Sequence, residues 1–466
     1  MFKRGIAACV AASVLSACSF APPYHAPEAV IPTAFKEAGP WQTAKPSDRI
    51  SRDGWWKIYD DPVLNGLEAK VVSANPDVAA AVARHDEAQA FVQQARSGLF
   101  PTIGSEASVT RQRQSDNRPL RGTNQPSVYN SADVDVGIGY DLDLWGKVRN
   151  EVKAGRADEQ ASADDLQSLR LSLQASLADH YFQLRGLDQR TKLLQETIVT
   201  YQHALKLTES RHSGGLASGM DVSRAQTQLA SAQASVDDTA ASRALLEHAI
   251  ATLTGTPASS FALAPATPGH AVPQIPVGVP SELLQRRPDI AAAERRVAAA
   301  NETIGVAKAA YFPDVSLGLD GGYQSDTFSP WLAAPNEIWS IGPQLMFTLF
   351  DGGRRDAQVA NARAKLAENG AKFRETVLSA FQQVEDELAL LHHLGDESRN
   401  EDNALASAEQ TLTLATSQYR DGAVSYLDVV TAQTTELDAQ IASLDLRTRQ
   451  LVASVNLIQA LGGSWQ

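Results

Sequence analysis

Nine histidines and 54 acidic residues are enough to build a catalytic or metal centre, so their spacing is the first thing to weigh. A helical zinc site of the HExxH kind needs two imidazoles four residues apart bracketing a glutamate, and a thiolate site needs paired cysteines. Neither spacing occurs. His392 and His393 are adjacent, which puts them on different sides of a helix and predicts no shared ligand. A GxSxG nucleophile elbow and a glycine-rich phosphate loop are also missing. The expectation is therefore no catalytic residue, no metal site and no cofactor, and the chain does not read as an enzyme. Its formal net charge of −13 argues against nucleic acid as a partner, because no basic stripe exists to neutralise phosphates.

Two other patterns carry more. Gly214-Gly215-Leu216-Ala217-Ser218-Gly219-Met220-Asp221 and Asp421-Gly422-Ala423-Val424-Ser425-Tyr426-Leu427-Asp428 occupy equivalent places 207 residues apart. Their glycines allow a sharp reversal between helices. Asp221 and Asp428 sit just past the reversal, where a helix dipole favours an acid.

The second pattern is at the N-terminus. Met1-Phe2-Lys3-Arg4 is basic, and the apolar run from Ile6 to Leu15 is too short to span a bilayer, so residues 1–17 are expected to be a secretory signal. It ends in Leu15-Ser16-Ala17-Cys18, which resembles the lipobox of bacterial lipoproteins and implies cleavage before Cys18 and acylation of that residue. Ser19, rather than Asp, after the cysteine favours sorting to the outer membrane in that class. Once Cys9 leaves with the signal no intramolecular disulfide is possible.

The elements that must position these residues come in two copies. Asn75-Pro76-Asp77 matches Arg287-Pro288-Asp289, and Phe100-Pro101 matches Phe312-Pro313, at an offset of 212. Further on the offset is 207, pairing Gly146-Lys147 with Gly353-Arg354, Ala225-Gln226-Thr227 with Ala432-Gln433-Thr434, and Gly255 with Gly462. Each copy is expected to run helix, strand, strand, long helix, turn, helix. The boundaries are 63–255 for the first copy and 281–466 for the second. Residues 18–62 and the Pro-rich link 256–280 break the helical pattern.

Val134, Val136, Ile138, Tyr140, Leu142 and Leu144 alternate with acids and glycines, Val315, Leu317 and Leu319 alternate with Asp314, Ser316, Gly318 and Asp320, and Trp339, Ile341, Leu345, Phe347 and Leu349 follow the same period in the partner strand. Such strands suit a wall with lipid on one side and water on the other. Residues 103–109 and the Pro343 strand rest on the repeat. A soluble sandwich would need a second sheet, and no further strand signal exists to provide one.

From Leu173 through Leu177, His180, Leu184, Leu187, Thr191, Leu194, Ile198, Tyr201, Leu205 and Thr208 to His212, the spacings alternate four and three, a coiled-coil seam. A proline-free helix over 146–212 would be about 100 Å long. The return partners, 76–99 and 220–254, would stack to nearly that length. The second copy repeats the seam at Val384, Leu391, Leu394, Leu405 and Leu412, broken by Glu387, Ser398 and Glu401. Four strands cannot close a spanning sheet, whose smallest usual count is about eight, so several subunits must share one barrel. Two, three or four remain open on this ground.

The run Pro280-Ser281-Glu282-Leu283-Leu284-Gln285-Arg286-Arg287-Pro288-Asp289-Ile290, continuing to Tyr311-Phe312-Pro313, resembles the signature of the TolC-like outer-membrane factors, in the NodT-type lipoprotein branch. Tyr140-Asp141-Leu142-Asp143-Leu144-Trp145-Gly146-Lys147, Leu349-Phe350-Asp351-Gly352-Gly353-Arg354 and the two turns extend the likeness over nearly the whole mature chain. The resemblance implies a mainly α fold with a membrane β-barrel portion: a long periplasmic coiled-coil α-barrel plus four β-strands per subunit, twelve-stranded as a homotrimer. It places 18–62 and 256–280 in a belt around the middle. It implies the outer-membrane channel of a tripartite efflux pump, fed by an inner-membrane transporter through a periplasmic adaptor that docks on the turns at Gly214–Gly219 and Gly422–Ser425. It also brings three copies of Asp428 to the closed periplasmic end as an acidic gate. A second acid three residues on, present in some relatives, is Thr431 here, which speaks against a double ring. The competing readings are a protein-secretion duct and a pore-less periplasmic coiled-coil scaffold.

Overall fold

The structure is a computed structural model that describes residues 19–28, 31–37, 54–117, 126–273, 275, 286–327 and 330–463. The leader, Cys18 and residues 276–285 lie outside the described residues. The first repeat comprises helices α1 (Pro62–Ala74) and α2 (Pro76–Ser97), strands β1 (Thr102–Arg113) and β2 (Val128–Asp141), the long α3 (Lys147–Ser213) and its return partner α4 (Gly219–Leu253). The second comprises α5 (Pro288–Ala309), β3 (Asp314–Ser325), β4 (Glu337–Met346), α6 (Arg354–Arg420) and α7 (Tyr426–Ala460). Both long helices have 67 residues and both return helices 35, so the repeat of the sequence is a repeat of structure. No described helix is long and apolar enough to cross a membrane.

Two compact units divide the chain, and α3 and α6 each contribute to both, changing unit after residues 162 and 373. The first unit holds the sheet, antiparallel in the order β1-β2-β3-β4. Its register sorts the faces. Ile103, Ile138, Leu319 and Ile341 form one cross-strand row, and Val136 faces Trp339 across Gly321 in the next. Alternate rows carry Glu106 beside Asp135, and Ser108 beside Asp133 and Gln324. Ile103, Ile341 and Trp339 keep 72%, 62% and 72% of their surface exposed, far too much for a sandwich core. β4 starts and ends earlier than its alternation suggested, leaving Phe347 and Leu349 beyond it. Pro343 lies on β4, an edge of the sheet within the single subunit. Just below the strands, Phe312 stacks on Trp145 at 4.8 Å and on Phe20 at 4.4 Å, and the Trp145 indole donates to the Pro313 carbonyl at 2.8 Å.

The second unit is helical. Every seam position of α3 from Leu173 to Thr208 is buried or half-buried, and only His212 at the end is exposed. Small residues bring the helices close: a Cβ on Gly186 would come within 2.4 Å of the Thr448 Oγ1 of α7. Asn75 caps α2 as its type and Pro76 predict, accepting from the amides of Asp77 and Val78 at 2.8 and 3.3 Å.

The same corner is built twice. The Asn75 amide group donates to Leu253 O at 2.9 Å, and the repeat-related Arg287 donates to Ala460 O at 3.0 Å, so each side chain ties a return helix's last carbonyls to the start of its repeat. Helix α1 is the element the sequence pattern passed over. Asp61-Pro62 is the same cap signal as Asn75-Pro76, and its carboxylate accepts from the amides of Val63 and Leu64. Ordered linker residues are strapped on by charge. Asp188 accepts from Arg185, Arg243 and the amide of Ala266 at 2.8, 2.7 and 3.0 Å, with Asp188 and Arg185 buried. Such a network offsets much of the desolvation of its ions through paired charges and hydrogen bonds.

Candidate functional site: the two helix turns

Both reversals have one geometry. In the first, Leu216 N–H donates to Arg211 O at 2.8 Å around Gly215, which has φ +73°. In the second, Ala423 N–H donates to Gln418 O at 2.8 Å around Gly422, with φ +76°. These are left-handed glycine stops that satisfy the last helical carbonyls. Each return helix then opens with a capping box: Ser218 with Asp221, and Ser425 with Asp428. The Asp428 carboxylate accepts from the Ser425 hydroxyl at 2.7 Å and the Ser425 amide at 2.9 Å, which together hold its pKa below the ordinary carboxylate range. Within one subunit Asp428 and Asp221 therefore do the same local work.

The turns differ from ordinary solvated loops in what they expose. Leu216 is 75% exposed and Met220 61%, with Leu427 at 46% beside the second turn. Above the turns Tyr419, Tyr426, Val429 and Ala225 form a small apolar core. The Arg211 guanidinium of α3 lies 4.4 Å from the Tyr419 ring centre and donates to the Tyr419 carbonyl at 2.9 Å, joining α3 to α6 near their ends. An open groove of about 520 Å³ runs along α6 and α7, floored by small side chains including Ala404, Ala408, Thr411 and Ala415 of α6 with Asp428 and Thr431 of α7. Small residues at helical spacing let another helix approach closely.

The two adjacent histidines do not behave as their spacing suggested. The rings of His392 and His393 turn toward one another with centroids 5.3 Å apart, and their nitrogens lie with a carboxylate oxygen of Asp396 within a 4.8 Å group. Backbone directions 100° apart are overcome by rotation about the side-chain bonds of exposed residues.

Residues 69–256 and 279–463 match the family described as outer membrane efflux protein. The chain is 30% identical to the antibiotic efflux pump outer membrane protein ArpC of Pseudomonas putida, over 100% of this chain and 96% of that one. It is 30% identical, over the same shares, to the toluene efflux pump outer membrane protein TtgC of the same species. Among solved structures, the outer membrane protein VceC of Vibrio cholerae superposes with a TM-score of 0.82 at 29% identity, covering 88% of this chain and 99% of that chain. With its lipid-and-water sheet and its twice-built coiled coils, the chain belongs to the outer membrane efflux protein family and is an outer-membrane channel of tripartite efflux pumps.

Proposed function

We propose that three copies of this chain close a twelve-stranded barrel, and that the turns at Gly215 and Gly422 receive the hairpins of a periplasmic adaptor that couples the channel to an inner-membrane transporter. The observation that carries this reading is the exposed apolar tip on each turn, Leu216 and Met220 at the first and Leu427 at the second. The open edges of β1 and β4 support the closure, because unpaired backbone groups in hydrocarbon cost several kcal/mol each. Cross-linking of the purified protein tests it: a ladder ending at three subunits is expected, and one ending at two or four would sink the trimer. What the relatives carry, antibiotics in one name and toluene in another, supports small-solute export rather than protein secretion.

Cys18 is the lipidation site in this reading. Ser19, the residue after it, donates to Asn150 at 2.8 Å, and Phe20 stacks on Phe312, two residues before β3 begins. Acyl labelling should vanish in Cys18→Ser, with export reduced but not lost, since the sheet still buries apolar area in the membrane. Labelling that persists overturns the assignment.

Asp428 lines the gate in the same reading. Charged at neutral pH in the single subunit, its copies would repel one another near a threefold axis, raise one another's pKa and attract cations. As pH falls through that raised range the ring loses its charge, so cation conductance should fall. Asp428→Ala and Asp221→Ala remove the same cap, so any difference between them isolates the pore. Single-channel recording should show the pH and divalent-ion dependence weakened only in Asp428→Ala; equal behaviour would leave Asp428 as a capping acid alone.

A further inference from the structure

We propose that His392, His393 and Asp396 of α6 form a binding site for a divalent transition cation of the zinc or nickel type. Nothing in the channel's conducting role calls for these residues. His392 and Asp396 are one helical turn apart, and His392 Nε2 lies 3.9 Å from Asp396 Oδ2. His393 contributes a ring nitrogen to the same group, all of whose donor atoms lie within 4.8 Å of one another. Tetrahedral donors at about 2.0–2.2 Å from a zinc ion sit about 3.3–3.6 Å apart, so a small rotation of exposed side chains closes the site.

The surroundings favour binding. The other oxygen of Asp396, Oδ1, pairs with Arg399, which holds the carboxylate with Oδ2 turned to His392. The segment carrying Glu37 is fixed to the same face of α6: the amides of Lys36 and Glu37 donate to the two oxygens of Glu385 at 2.7 and 3.0 Å, two turns before His392. The Glu37 carboxylate pairs with Lys36 at 3.0 Å. Two imidazoles with one carboxylate suit zinc, nickel or copper, whereas magnesium and calcium require oxygen alone.

The test is calorimetric titration of the full-length, tag-free protein in detergent with zinc chloride, nickel chloride and magnesium chloride. One zinc per subunit is expected, with no saturable magnesium binding. His392→Ala and Asp396→Asn should each weaken zinc binding about tenfold or more, and the double variant His392→Ala/His393→Ala should abolish it. Zinc should raise the melting temperature of the wild type and not of the double variant. These positions are exposed, so unchanged melting without metal shows that the variants fold. Absence of saturable zinc binding, equal binding by the double variant, or equal binding of magnesium would each overturn the site.

Discussion

Leu216→Arg and Ala423→Arg should each reduce export to the level of a strain lacking the channel, while trimer assembly and outer-membrane insertion stay intact. Both side chains are exposed in the single subunit, so neither change disturbs a core. An adaptor tip seated over them would instead bury an unpaired charge, which costs about 2–5 kcal/mol, or about 30-fold and more in affinity. These positions are cleaner probes than the neighbouring glycines. Gly215 and Gly422 adopt φ +73° and +76°, so any side chain there strains the reversal itself and confuses a docking defect with a folding one. The measurement is drug or solvent susceptibility beside native gel analysis of membranes. Loss of the trimer would mean that the turns are structural, and full export would mean that the adaptor seats elsewhere.

Gly255→Ala should destabilise the protein by on the order of 2–5 kcal/mol, enough to deplete the folded channel. Gly255 has φ +67°, and an added Cβ would fall 2.2 Å from the carbonyl oxygen of Ala74, a backbone atom that cannot move aside without shifting α1. Its repeat partner Gly462 has φ +89°, and its Cβ would lie 2.9 Å from the carbonyl oxygen of Arg286, so Gly462→Ala should cost less. Gly66→Ala is the control, since it lies inside α1 with nothing within 4 Å of its Cβ and should gain about 0.5–1 kcal/mol. Thermal unfolding followed by circular dichroism gives the order of the three. A Gly255→Ala protein as stable as the wild type would show that the corner between α1 and α4 relaxes freely.

These glycines show how much of the fold is legible in the chain. Their recurrence at an offset of 207 is visible as letters, but why both must be glycine is not. The answer is a carbonyl from the start of the same repeat, 181 residues from Gly255 for one corner, pressed against the Cα. The cap at Asn75-Pro76 is legible because all its parts are local, and Asp61-Pro62 carries the same local signal at the end of a Pro-rich segment that breaks the helical pattern. The adjacent histidines failed the opposite way: backbone periodicity predicted separation, and side-chain rotation together with Asp396 one turn on brought the donors into one group.

By itself the sequence determined the repeat, the period of each element, the reversal sites and the two-faced strands, because each depends on neighbours along the chain and on the sorting of apolar from polar groups. The coiled-coil seam belongs with them, since every position from Leu173 to Thr208 faces inward as its spacing requires. Only the tertiary structure decided the strand register that sets Ile103, Ile138, Leu319 and Ile341 in one row, and the Asp188 network that straps Leu263 and Ala266 to α3 and α4. It also decided the capping of Asp428 by Ser425 in the same way as Asp221 by Ser218. Spacing alone names an acid near a turn. Which oxygen meets which hydroxyl, and which strand lies beside which, follows from packing between residues distant in sequence, where many partners satisfy the same pattern and only shape complementarity and hydrogen-bond satisfaction select among them.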